Sequence, residues 1–274
     1  MKKHWILSSK GLGNIFVAII LLFYVLFPMV VVVFWSIAEK WYPEHWWAPE
    51  KIGLSWFKAL FKLVDVQLSF IQTFTIAPIV VALTALISIP AGYVFGTKSF
   101  PGKRLLENIF LIPLVVPAIA TGISILSVYT AWGLRNTYWG VILAHMIGAT
   151  PYMLRCVSAA FEGIDPAWEE AARNLGATRW QVVWKILVPN ITPGILAGAI
   201  FAFSWSINEF VLTLLIGFPT VTTLAVKVYQ YIGGYYITPN AAAAVSIFLT
   251  LPSIPIVLAM EKYVKAEYVA GVAR

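Results

Sequence analysis

The chain has 274 residues, of which 60% are hydrophobic and only 11% charged, with a mean hydropathy of +0.84. A soluble domain has about a quarter of its residues charged, so an ordinary globular protein is excluded, and the same figures exclude a disordered or collagen-like chain. The formal charge of +7 comes without a dense basic patch interleaved with aromatics, which argues against nucleic-acid binding. Cys156 is the single cysteine, so no intrachain disulfide can form, and His4, His45 and His145 are too scattered to suggest a metal site by spacing. What remains is an all-α polytopic membrane protein.

A crossing helix needs about 20 mainly apolar residues, because its backbone polar groups must be paired without water. Six segments meet that demand, at about 13–38, 70–96, 106–131, 138–156, 191–216 and 239–260. The first follows a short basic tail with Lys2, Lys3 and Lys10, but its apolar run continues through VVVVFW with no small-residue cleavage site, so it is read as a retained anchor. Six crossings place both termini on one side. With that side cytoplasmic, thirteen of the 19 basic residues lie inside: Lys2, Lys3, Lys10, Lys98, Lys103, Arg104, Arg155, Arg173, Arg179, Lys185, Lys262, Lys265 and Arg274. Lys40, Lys51, Lys58, Lys62, Arg135 and Lys227 are left outside, the first four among Glu39, Glu44, Glu50 and Asp65.

The first external loop, roughly 39–69, carries Trp41, Trp46, Trp47 and Trp56, which suit an aromatic belt. From Ser55 it has the pattern of an amphipathic helix lying along the outer face. Anchoring at the interface and docking of an external partner are both open for this loop. Further along, Pro28, Pro78, Pro90, Pro113, Pro117, Pro151, Pro193, Pro252 and Pro255 fall within or near the crossings, and each removes a backbone donor. Ala197, Gly198, Ala199 and Ser204 would allow close helix contact.

The most informative stretch, FEGIDPAWEEAARNLGATRWQVVWKILVPNITPG, lies between the fourth and fifth crossings and is far longer than a helix-to-helix turn requires. Within the loop of residues 157–190, Asp165 suits an N-cap, Pro166 the first helical position, and Glu169 and Glu170 the positive end of the helix dipole. A short helix over Ala167–Leu175 is expected to turn sharply at Gly176. A second, from Thr178 to Leu187, is expected to bury Val182, Val183 and Ile186, to expose Arg179 and Lys185, and to end at Pro189, with the fifth crossing starting at Pro193. Such a pair, rigidly joined to two crossings, has the form of a lever; an interfacial helix that merely fills the inner surface is the plainer reading.

Glu209 is the sharpest intramembrane residue, because a carboxylate within an apolar crossing is costly unless it faces a bundle interior or a water-filled path. It would either touch a cationic solute or make a packing or gating hydrogen bond to Asn208, Ser206 or another subunit. His145, in the fourth crossing, is expected to be a hydrogen-bonded core residue, and Gly217 and Pro219 to turn the chain at the outer boundary.

The loop resembles the signature of the membrane permease subunits of ATP-binding cassette importers, E-A-A, three residues, G, nine residues, I-x-L-P. Here it stands as Glu170, Ala171, Ala172, Gly176, Ile186 and Pro189, with Val188 at the usual leucine. The resemblance extends over the six-helix architecture. It implies the type I importer permease fold, a coupling helix around Glu170–Leu175 that docks on an ATPase subunit, and a bend at the glycine. A second stretch, SWSINEFVLTLLIGFPTVTTLAVKVYQYI over residues 204–232, is similar to the spermidine/putrescine permeases, which often have paired acidic residues where this chain has Asn208 and Glu209. That likeness makes Ser206, Asn208 and Glu209 candidates for the translocation pathway, and a polyamine or related amine-containing compound the expected solute.

No GxxxxGK[ST] phosphate loop and no Ser/His/Asp grouping, HExxH or GxSxG occurs, so no hydrolytic site is expected. The resemblance implies that this chain binds no cofactor of its own and that ATP and Mg are used by two cytoplasmic ATPase subunits. The remaining partners would be a second, distinct permease subunit, an external or periplasmic solute-binding protein and membrane lipid, in a bacterial inner membrane. A gated channel or membrane scaffold that binds a regulator through the long loop is the competing reading.

Overall fold

A computed structural model describes residues 9–41, 48–233 and 237–272. Lys2, Lys3, His4, Glu44, His45, Trp46, Trp47 and Arg274 lie outside the described residues. The chain divides into two compact units. One comprises Met1–Leu63 and Val228–Ile247, the other Val64–Lys227 and Phe248–Arg274.

The first unit opens with α1, Ser9–Ile37, whose large apolar side chains, Phe16, Leu22 and Phe23 among them, are exposed along its length. A helix this apolar with so little protein against it requires lipid as its cover. After it, β1 (Ala38–Lys40) and β2 (Lys51–Ile52) pair antiparallel, a small sheet that the helical pattern does not foretell. Glu39 fixes this corner: it pairs with Lys51 at 2.7 Å and accepts from the backbone N–H of Ser55 at 3.2 Å. The hydrogen bond from Lys51, followed by that from Ser55, holds its carboxyl below the usual range. The expected amphipathic helix is present as α2, Ser55–Lys62, with Leu60 buried and Trp56 donating its indole N–H to Ala38 O at 3.1 Å. Asn240 closes the unit by donating Nδ2–H to Ala38 O at 2.7 Å and to Trp35 O at 3.2 Å.

The second unit is built around α3 (Val64–Thr97), α6 (Tyr138–Glu162) and α9 (Val188–Asn208). Their shared core includes Ile76, Val80, Val141, Ile142, Met153, Val157 and Ile191, each nearly or fully inaccessible. Of the small residues, Gly198 has the close-contact role expected of it: a Cβ there would stand 2.7 Å from Met153 Sδ and 3.1 Å from its Cα, so α9 approaches α6 through the missing side chain.

Proline marks few of the breaks. Pro28, Pro78, Pro90, Pro151, Pro193, Pro252 and Pro255 all lie inside continuous helices. The third crossing, expected to be continuous, is instead two helices, α4 (Lys103–Val115) and α5 (Ala118–Ala131), bent by 102°. The reason is local: Val116 precedes Pro117 and is pushed to an extended ψ of 129°, which ends α4. Among the described residues five helices are long and apolar enough to cross a membrane, or six if this bent pair is one span.

The fifth crossing also departs from expectation at both ends. Pro189 does not end a short helix. Instead α8 (Arg179–Val182) runs through a π turn at Val183–Leu187 directly into α9, giving 30 continuous residues from Arg179 to Asn208. The wider turn absorbs a residue that cannot donate, and Asn190 supplies a side-chain donor to Ile186 O at 2.6 Å. At the other end α9 stops at Asn208, and a second π turn, Thr213–Gly217, follows before the chain turns at Phe218–Thr220. The stretch beyond is held on α3: Gln72 Oε1 accepts from Thr222 N–H at 2.8 Å, Thr73 Oγ1 from Leu224 N–H at 2.9 Å, and Lys227 pairs with Asp65 at 2.7 Å. Two further helices, α10 (Leu224–Gly233) and α11 (Pro239–Val272), complete the chain.

Candidate functional site

The 157–190 loop folds into an elbow whose parts follow from its sequence. The helix α7, Pro166–Asn174, begins where expected: Asp165 Oδ1 accepts from Ala167 N–H at 2.9 Å and Pro166 occupies the first turn. At the other end Gly176 N–H bonds Arg173 O at 2.9 Å and Ala177 N–H bonds Ala172 O at 3.0 Å, the paired bonds of a Schellman stop. Gly176 has φ +83°, and no atom lies within 4 Å of where its Cβ would be. Glycine is needed there for backbone conformation, not for space. Thr178 then opens α8 with a capping box, its Oγ1 accepting from Gln181 N–H and its own N–H reaching Gln181 Oε1 at 2.7 Å.

The residues of the signature divide by what they touch. Ala172 and Ala177 pack on the main core, and Val182 and Leu187 are buried, with Val183 and Ile186 partly so. Glu170, Ala171 and Gly176 are exposed, together with Arg179, Lys185 and Pro189. Glu169 is ion-paired with Arg173 and accepts from Tyr93 Oη at 3.5 Å, which links α7 to the end of α3. The apolar tip was not anticipated: Leu175 is 88% exposed, and Trp168, Trp180 and Trp184 are also open. Four large apolar side chains thus stand uncovered by this chain on a polar elbow, and their spacing in the sequence was the available signal.

The second candidate site lies at the break after α9. Asn208, exposed, donates Nδ2–H to Ser204 O at 2.8 Å. Glu209 is buried; its backbone N–H donates to Ser206 O at 3.4 Å, while its carboxylate Oε1 accepts from the backbone N–H of Leu212 at 2.9 Å rather than from the Asn208 or Ser206 side chains that the sequence suggested. The carboxylate therefore caps the turn that follows, satisfying a donor that the break would orphan inside an apolar crossing. Tyr152, Phe201, Ser204, Trp205, Asn208 and Glu209 line an open groove of about 410 Å³. Ser206 faces the other way, into the core, where its Oγ meets His145 Nδ1 at 2.9 Å. Of the three pathway candidates the structure thus brings Asn208 and Glu209 to one groove and leaves Ser206 out of it. His145 is the hydrogen-bonded core residue expected, with Nε2 at 2.8 Å from Thr213 Oγ1.

One continuous helical path thus joins the exposed elbow to a crossing that breaks at a buried carboxylate. Residues 88–266 match the family model described as binding-protein-dependent transport system inner membrane component. The chain belongs to this family. As such it is a multi-pass inner-membrane permease subunit of an ATP-binding cassette importer.

Among its relatives, this permease is similar to the molybdenum transport system permease protein ModB of Escherichia coli, with 33% identity over 213 residues covering 70% of this chain and 90% of that protein. It is also similar to the spermidine/putrescine transport system permease protein PotC of Haemophilus influenzae, with 24% identity over 230 residues covering 83% and 88%. The narrower likeness to polyamine permeases is therefore shared with a permease named for a different solute. Among solved structures, a bacterial transporter involved in import of the acidic polysaccharide alginate matches with a TM-score of 0.72 at 17% identity, over 93% of this chain and 98% of that one. An inward-facing MetNI methionine transporter matches with a TM-score of 0.57 at 24% identity, over 72% and 93%. These TM-scores establish a common fold.

Proposed function

We propose that the whole chain acts as one permease domain forming half of the translocation pathway, with the elbow at Gly176 receiving force from a cytoplasmic ATPase subunit. The observation that carries this reading is the unbroken 30-residue helical path from Arg179 to Asn208, which spans about 45 Å at 1.5 Å per residue and joins the elbow to the groove at Glu209. Closure of two ATPase subunits on ATP and Mg would move α7 through its exposed Trp168 and Leu175. Ala172, Ala177 and Glu169 would pass that movement to α9 and α3. A second, distinct permease subunit would supply the other wall, and an external or periplasmic solute-binding protein would deliver the cargo. Glu170, Ala171, Ala172, Gly176, Ile186 and Pro189 are assigned to the ATPase contact and its bend, and Asn208 and Glu209 to the pathway.

The solute class proposed is a small amine-containing compound such as a polyamine. The groove sets the Tyr152, Phe201 and Trp205 rings beside the Glu209 carboxylate, and ring faces and a carboxylate both favour a cation. A second reading, an oxyanion, is favoured by the kinship with a molybdenum permease at 33% identity, and opposed by a carboxylate at the groove. Reconstitution with the neighbouring subunits decides between them. ATPase stimulation by a solute-binding protein loaded with a diamine is the expected result; stimulation only by one loaded with molybdate would establish the oxyanion reading. ATP-independent flux would favour a gated channel instead.

Both termini are placed in the cytoplasm, on the thirteen basic residues assigned to that side. The contacts within the second unit agree: Asp65 meets Lys227, both assigned outside, while Tyr93, beside the inner Lys98, meets Glu169. Single-cysteine variants at Ser9 and Lys262, in a chain lacking Cys156, are expected to resist an impermeant thiol reagent in intact cells while one at Lys51 reacts. Labelling at Lys262 from outside would overturn the orientation.

A further inference from the structure

His145 is completely buried on α6, and no part of the transport reading above uses it. Its Nδ1 lies 2.9 Å from Ser206 Oγ and its Nε2 2.8 Å from Thr213 Oγ1. A neutral imidazole donates through one nitrogen and accepts through the other, and the two hydroxyls can turn to match. Thr213 Oγ1 also lies 3.3 Å from Glu209 O. The chain of bonds thus runs from Ser206 through the imidazole to Thr213 and on to the carbonyl of Glu209. Ser206 lies in the last turn of α9 and Thr213 begins the π turn beyond the break. The imidazole therefore spans the interruption, one nitrogen on each side, and anchors both to α6.

We propose that His145 is a positioning residue that sets the geometry of the break after Asn208 and thereby places the Glu209 carboxylate in the groove. The physical need is clear from the backbone. At Glu209 the chain leaves the helix with ψ 111°, and no proline or glycine at residues 206–212 enforces that turn. Bonds from side chains must therefore hold it: Asn208 to Ser204 O, Leu212 N–H to Glu209, and Thr213 to Glu209 O. Among the described residues, His145 brings side-chain hydrogen bonds to both sides of this break from another helix, and Leu212 and Ile216 pack beside it on Ala144 and Tyr129. In an apolar crossing such bonds have little water to compete with them.

This inference rests on the pathway reading for Glu209, and its test separates the two. Backbone hydrogen exchange over residues 208–214 is measured in the assembled complex, together with ATP-driven diamine uptake at matched complex levels, for H145L, H145Q and E209Q. Leucine removes both polar contacts at comparable size, whereas glutamine retains one acceptor and one donor at similar separation. Exchange at Val211–Thr213 is expected to rise about tenfold in H145L, with uptake falling by a similar factor, and both are expected to return to near wild type in H145Q. If H145L does not assemble, S206A and T213V each remove one of the two bonds and are expected to give smaller changes in the same direction. Unchanged exchange in H145L, or equal defects in H145Q and H145L, would overturn the proposal. So would faster exchange with undiminished uptake in H145L while E209Q is defective. Normal uptake in E209Q alongside faster exchange in H145L would instead remove the pathway reading and leave His145 as the pin of the break.

Discussion

Replacing Gly176 with valine is expected to reduce ATP-driven uptake roughly tenfold to a hundredfold, because a β-branched residue held at positive φ costs about 1–3 kcal/mol. The open space around the missing Cβ excludes a clash, so the whole effect comes from the dihedral angle. The backbone answers by leaving the left-handed region, which breaks the two bonds from Gly176 and Ala177 to the end of α7 and re-aims the exposed Trp168 and Leu175. The core of α3, α6 and α9 is untouched, so the permease pair should still purify together while its ATPase partner binds weakly or fails to couple. Asparagine, which tolerates this conformation, should be much milder at the same position. Co-purification and uptake measured side by side check the prediction. Wild-type uptake in the valine variant would remove the elbow from the coupling path.

Replacing Glu209 with glutamine is expected to lower diamine uptake about tenfold or more at unchanged complex level, since a unit charge about 4 Å away in a partly polar site contributes on the order of 4 kcal/mol. The geometry makes this substitution clean. The glutamine carbonyl can still accept from Leu212 N–H, so the cap on the turn survives and only the field in the groove changes. Alanine removes the cap as well and should weaken assembly by about 1 kcal/mol, a typical figure for an N-cap. Comparing a diamine with a zwitterionic solute, each with a competent binding protein, separates cation guidance from a gate that acts on every cargo. Equal uptake by wild type and the glutamine variant for each cation would show that Glu209 serves the backbone alone.

The sequence by itself determined what depends on composition and on short-range order. Apolar length marked the membrane-crossing helices, because a helix in lipid needs about 20 apolar residues. The elbow was legible residue by residue: Asp165 as cap, Pro166 at the first turn, Gly176 as the stop. Each of these acts on backbone groups within four positions of itself, and so leaves its trace in adjacent letters. Only the tertiary structure decided where the crossings break. Of nine prolines in or near them, Pro117 coincides with a sharp bend, while Pro28, Pro78, Pro90, Pro113, Pro151, Pro193, Pro252 and Pro255 stand inside helices. Pro189, which reads as a terminator, is carried through behind a π turn at Val183–Leu187, within one continuous helical path. The break at Glu209 has no proline or glycine to announce it. It exists because Asn208 and Glu209 cap the severed backbone and because His145, more than sixty residues earlier, reaches both Ser206 and Thr213. A bond of that span has no local pattern, and the same polar letters, read in order, describe an ordinary membrane helix.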